Sequence, residues 1–233
     1  MHEGSIFCSP CEVKSCTKLE FLEAKHSSIN SNMALKPCRP ERFASTEIEC
    51  ILTLDGHFGP VLSCNFHPSL PILASGSNDT TAKVWLMSAD ATSASCVLTL
   101  EGHTGQVRCV IFHSQAPFLA TCSSDATAKV WRMNEDCSEV ICTSTLNGHS
   151  ASVRCVAFHP TLLILATASR DGTAKLWHLN ADGTETTCIV TLGDHNSHVF
   201  SVTFHPSAPY MATSSRDKTA KVWKLSDDCT AAT

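Results

Sequence analysis

The stretch Gly102–Trp131, GHTGQVRCVIFHSQAPFLATCSSDATAKVW, decides the fold. Its pattern occurs four times. A Gly-His pair opens a unit at His57, His103 and His149, and a variant opens a fourth at His195. A tryptophan closes each unit at Trp85, Trp131, Trp177 and Trp223. Every one of these spacings is 46 residues, without drift. An unbroken period of that size marks a repeat architecture, in which each unit is one block of secondary structure that buries its faces against its neighbours.

Composition sets the outer limits. The 233 residues are 43% hydrophobic, enough for a sizeable core. A net charge of −5, with both signs interspersed, argues against nucleic acid as a general partner, since such proteins carry a basic face. The opening MHEGSIFCSPCEVK lacks the apolar core of a signal peptide, and no apolar run is long enough to span a membrane. The fourteen cysteines are therefore expected as free thiols inside the cell, in cytoplasm or nucleus. Cys50, Cys96, Cys142 and Cys188 repeat at the same period. They are displaced together from unit to unit, so they do not converge on a metal, and half-buried strand positions are expected for them.

Residues 1–47 stand outside the repeat. They carry six acidic and six basic residues and read as a flexible extension, with room for one short helix around Lys18 to Lys25. Cys8, Cys11, Cys16, His26 and Cys38 could supply zinc ligands, but only the first pair has ligand spacing and no second tight pair follows. No cofactor is implied.

From residue 48 onward each unit suggests four short strands. In the first, Cys50 to Leu54 is one strand, ended by Asp-Gly-His. Val61 to Phe66 is the second, Ile72 to Ser75 the third, and Ala82 to Trp85 the fourth. The second and third are apolar at nearly every position, as expected of strands covered on both faces. His67, His113, His159 and His205 end the second strand of each unit, where capping of the following turn is the expected role.

The Gly-His pairs, the run LASGSNDTTAKVW ending at Trp85 and their three in-phase copies resemble the WD-repeat β-propellers. The resemblance implies an all-β fold of four four-stranded antiparallel blades, in repeats of about 50–95, 96–141, 142–187 and 188–233. It also implies a role for four sets of polar residues: His57, Ser75, Asp79 and Trp85; His103, Thr121, Asp125 and Trp131; His149, Thr167, Asp171 and Trp177; His195, Thr213, Asp217 and Trp223. A His, a hydroxyl and an Asp invite a hydrolase reading. Four copies, and no strained turn exposing a serine, oppose it. In the family the imidazole joins the Asp to the hydroxyl, which meets the indole N–H. Here Gly-His gives way to Asp194-His195 in the fourth unit, so that entry turn and its bonds are expected to be the least secure.

The resemblance further implies a partner face beside these residues. Its positions are Phe58, Pro60, Leu62 and Asn78; Thr104, Gln106, Arg108 and Ser124; Ser150, Ser152, Arg154 and Arg170; Asn196, His198, Phe200 and Arg216. Four are arginines and none is acidic. Guanidinium groups favour carboxylate or phosphate partners. The expected function is a non-catalytic scaffold or adaptor for other proteins or peptides, acidic or phosphorylated ones in particular. A truncated or decayed fragment without independent function and a propeller enzyme are the alternatives. Family members mostly close with about seven blades, whereas 46 added to Cys188 passes the last residue. Three arrangements stay open: a fragment, a ring completed by a second copy, or four blades closing alone under strain.

Overall fold

The computed structural model describes residues 49–134 and 137–226. The zinc candidates Cys8, Cys11, Cys16, His26 and Cys38, and the short helix near Lys18, lie outside the described residues.

Among the described residues, the apolar runs fold into fifteen strands grouped in four antiparallel sheets. The first sheet runs β1 (Val61–Phe66), β2 (Ile72–Ser77), β3 (Ala82–Met87) and β4 (Ala94–Leu100) in order. The second runs β5 (Val107–Phe112), β6 (Phe118–Ser123), β7 (Ala128–Met133) and β8 (Val140–Leu146). The third is β9 (Val153–Phe158), β10 (Ile164–Ser169), β11 (Ala174–Leu179) and β12 (Thr186–Leu192). The fourth has three strands among the described residues: β13 (Val199–Phe204), β14 (Tyr210–Ser215) and β15 (Ala220–Lys224).

Two expectations are corrected here. The strand that opens one sequence unit closes the sheet of the preceding unit: Cys96 sits in β4 and pairs with Trp85, Cys142 with Trp131 and Cys188 with Trp177. Cys50 to Leu54 forms no strand, and the fourth sheet lacks its outer member among the described residues. A repeat carries no mark of where its unit starts, so the sequence alone does not say which sheet the shared strand joins. The same placement exposes Cys50, Cys96, Cys142 and Cys188, which were expected to be half-buried. The last three lie on outer strands whose other face carries the buried Leu100, Leu146 and Leu192.

The blades pack through their first strands, β1 on β5, β5 on β9 and β9 on β13. Three apolar clusters fill the gaps. Val84 packs with Val107, Val110, Phe112 and Leu119 between the first two blades; Val130 with Val153, Val156 and Leu165 between the next two; Leu176 with Val199, Val202 and Met211 between the last two. Each such side chain contributes about 1.5–3 kcal/mol by leaving water. Small residues let the sheets approach: a Cβ on Gly76 would lie 2.8 Å from the Val107 Cγ1. Every position of β6 and of β10 is buried, as a strand covered on both faces must be. Strands β1 and β15 are largely exposed, because each has a neighbouring blade on one side only.

Candidate interaction face and the brace beneath it

Each entry turn sets its histidine against the tight turn between the second and third strands of the same sheet. In the second blade Trp131 Nε1–H donates to Thr121 Oγ1 at 2.9 Å, Thr121 Oγ1 lies 2.8 Å from His103 Nε2, and His103 Nδ1 lies 2.8 Å from Asp125 Oδ2. The indole can only donate and the carboxylate can only accept. His103 Nδ1–H therefore points at Asp125, and on a neutral imidazole Nε2 accepts the Thr121 hydroxyl. Burial lowers the pKa of His103 and of His149, which favours that neutral ring, although their aspartates pull the other way.

Asp125 has further donors. Its Oδ2 accepts the Thr104 N–H at 3.0 Å, and its Oδ1 accepts the Thr127 N–H at 2.9 Å and hydroxyl at 2.7 Å. Burial works to raise this carboxyl, yet the Thr127 and His103 bonds outweigh it and hold it at about 2. Asp79 and Asp171 are lowered by the same balance, and Asp217 by Thr219 foremost. Sequence reasoning missed Thr81, Thr127, Thr173 and Thr219, and also Ser77, Ser123, Ser169 and Ser215, whose hydroxyls accept the aspartate N–H at 3.1 Å. The signal was present as Ser-x-Asp-x-Thr at the 46-residue period.

The brace recurs in all four blades. His57 to Asp79 spans 2.8 Å and His57 to Ser75 2.8 Å; for His149 both distances are 2.7 Å, and for His195 both are 2.8 Å. Trp85, Trp177 and Trp223 donate to Ser75, Thr167 and Thr213. The fourth set is as complete as the others, which corrects the expectation drawn from Asp194. Gly56, Gly102 and Gly148 hold positive φ at this place, whereas neither Gly193 nor Asp194 does, so the fourth turn reaches the same bonds by another backbone path. The hydroxyls of Ser75, Thr121, Thr167 and Thr213 sit on residues at most 4% exposed and already accept an indole N–H. None is placed as a nucleophile.

The second histidines cap turns and join blades. His113 Nδ1 accepts the N–H of Gln115 and Ala116, and its ring meets Phe158 of the next blade edge-on at 5.0 Å. His67 meets Phe112 at 5.1 Å and His159 meets Phe204 at 5.2 Å in the same way.

The positions expected for a partner face flank the brace in sequence. In every blade the residue before the Asp donates its N–H to the carbonyl three places after the His: Asn78 to Pro60, Ser124 to Gln106, Arg170 to Ser152 and Arg216 to His198, each at 2.9 Å. One backbone bond thus holds the two contact columns together. Phe58, Pro60, Thr104, Ser150, Arg170, Asn196, Phe200 and Arg216 are exposed; Leu62, Asn78, Gln106, Arg108, Ser124, Ser152, Arg154 and His198 are half-buried.

Blades two to four form a connected cationic surface. Arg108 donates from Nε to Ser124 Oγ at 2.9 Å, and its pKa is lowered by burial, then by Arg154 and Arg170. His198 is lowered by burial, then by Arg170, Arg216 and Arg154. The Arg154 guanidinium stands 5.9 Å over the Phe200 ring, and His198 lies 6.5 Å from the same ring. Ser152 Oγ is buried without a hydrogen-bond partner. The side chains of the turn aspartates are only 8–10% exposed. Phe58 of the first blade, 98% exposed, is not tied into this group by any described contact. Among the described residues no cluster is suited to a metal, and no helix is long and apolar enough to cross a membrane.

Comparison with known proteins agrees with this geometry. A family model described as "WD domain, G-beta repeat" matches residues 48–85, 94–132, 140–178 and 186–224. "Nuclear distribution protein PAC1" of Coprinopsis cinerea is 36% identical over 73 residues, 29% of this chain and 16% of that protein. "GATOR2 complex protein Wdr24" of Drosophila melanogaster is 44% identical over 39 residues, 17% of this chain and 5% of that protein. The crystal structure of Saccharomyces cerevisiae Sqt1 matches with a TM-score of 0.66 at 21% identity, covering 73% of this chain and 47% of that one. The chain therefore spans under half the length of these relatives.

Proposed function

Because the chain belongs to the WD-domain, G-beta repeat family, we propose that it is a non-catalytic scaffold that binds another protein through the arginine-bearing ends of blades two to four. The family and its relatives support protein interaction in general. The gathering of Arg154, Arg170 and Arg216 around His198, with Arg154 and Arg170 near Arg108 and Arg154 over the Phe200 ring, carries the finer reading. Like charges gathered on one face of a chain of net charge −5 favour a carboxylate-rich or phosphorylated peptide, which relieves their repulsion through charge-assisted bonds. Phe200 offers it an apolar surface. We place this activity inside the cell, in cytoplasm or nucleus, where cysteine side chains stay reduced.

The test is calorimetric titration with a panel of Asp/Glu-rich and phosphoserine peptides. At least one is expected to bind, to weaken as salt rises, and to lose at least about tenfold in affinity when Arg154 and Arg170 are both changed to Ala. Unchanged affinity in that double variant overturns the acidic-peptide reading.

A further inference from the structure

The two outer flanks of the blade array carry complementary halves of an interface that the chain already forms three times. Val107, Val153 and Val199 open the first strand of blades two to four and are fully buried, whereas Val61, at the same repeat position, is 46% exposed. Phe112 and Phe158 are buried against the preceding blade's histidine, whereas Phe66 is 61% exposed. On the opposite flank Val84, Val130 and Leu176 are fully buried, and Val222 at their position is 71% exposed. Tyr210 stands 42% exposed where Ile72, Phe118 and Ile164 are buried. Phe66 thus presents the ring that His67, His113 and His159 each receive, and His205 holds the corresponding receiving position.

The outer strand repeats this correspondence. In the first three sheets Ala82, Ala128 and Ala174 pair with Leu100, Leu146 and Leu192. Lys83, Lys129 and Lys175 donate from Nζ to Thr99, Thr145 and Thr191, each at 2.9 Å. In β15 the same positions are Ala220, now exposed, and Lys221. The dipeptide Thr-Leu occurs once more in register, as Thr53-Leu54, in a segment that forms no strand.

We propose that two copies of the chain associate head to tail. The β1 flank of each packs on the β13–β15 flank of the other, and Thr53-Leu54 of each adds to the partner's fourth sheet opposite Lys221 and Ala220. The interface is heterologous, and two identical junctions related by a two-fold axis close it. Closure also pairs the edge of β15, which carries no further strand among the described residues. The surface is distinct from the arginine face and does not rest on the acidic-peptide reading.

Sedimentation equilibrium of the full chain tests it. The expected mass is twice the 25.1 kDa of one chain. Val222→Glu and Phe66→Glu alter side chains exposed in the single chain, so each variant is expected to keep the wild-type circular dichroism while its dimer weakens at least about 100-fold. An equimolar mixture of the two variants restores association, because one junction in the mixed pair carries neither change. A wild-type monomer across the dilution series, species larger than two chains, a dimer that both variants leave intact, or a mixture that stays monomeric each overturns the proposal.

Discussion

At the scale of single residues, the Ser/Thr hydroxyl is the hinge of the brace, because it accepts from one buried group and donates to another. Changing Thr121 to Val leaves the Trp131 N–H and the His103 Nε2 without partners, and is expected to cost about 2–4 kcal/mol in denaturant titrations, since each orphaned buried group costs about 1–3 kcal/mol. Thr121→Ser keeps the oxygen and is expected to recover most of that loss. The residue after each turn Asp has positive φ in every blade: Thr80 at 73°, Ala126 at 70°, Gly172 at 89° and Lys218 at 72°. Only the third is the residue that adopts this region without steric cost. Thr80→Gly is accordingly expected to stabilise the chain by about 0.5–1 kcal/mol, because relief of the left-handed penalty exceeds the glycine entropy cost. A lower melting temperature for that variant would contradict the turn geometry.

At the scale of strands and sheets, stability lies between blades as much as within them. Phe112 belongs to the second sheet by pairing and to the first by packing, through the ring of His67 and a backbone bond to Asn65 Oδ1 at 2.9 Å. Phe112→Ala is expected to cost about 3–5 kcal/mol and to lower hydrogen-exchange protection in β1 to β3 as well as in β5 and β6. Loss confined to β5 and β6 would contradict shared packing. The sequence made the strands legible because turn residues, apolar runs and the closing Trp recur in phase. It concealed which sheet owns the strand around Cys96, since a periodic pattern has no intrinsic starting point. It also concealed the exposure of that cysteine, because one small residue on an outer strand carries no signal of which face it takes. The structure of the arginine surface was half legible: the residue types and positions could be read, but the stacking of Arg154 on Phe200 is a contact between neighbouring blades that spacing does not reveal.

At the scale of the whole molecule, repeated braces turn local pKa shifts into a shared pH response. His103 and His149 are neutral in the folded chain, with pKa values below the ordinary 6.5, so their contribution is complete above that pH and is lost as pH falls through their lower folded values. The turn aspartates are also lowered, Asp125 to about 2, so a second loss begins below about pH 4 and runs to about 2. Melting temperatures are expected to be level near neutrality, to decline first below about 6.5 and again below about 4; a rise on acidification from 7 to 5 would contradict the neutral-imidazole brace. The central claim is a division of labour within each unit, in which the buried His, Ser/Thr, Asp and Trp hold the blade while the residues beside them meet a partner. Calorimetric titration of the Arg154→Ala, Arg170→Ala double variant with an acidic or phosphorylated peptide that binds the wild type tests it most directly. Binding is expected to weaken at least about tenfold while the variant keeps the wild-type circular dichroism. Wild-type affinity in a folded double variant would contradict it.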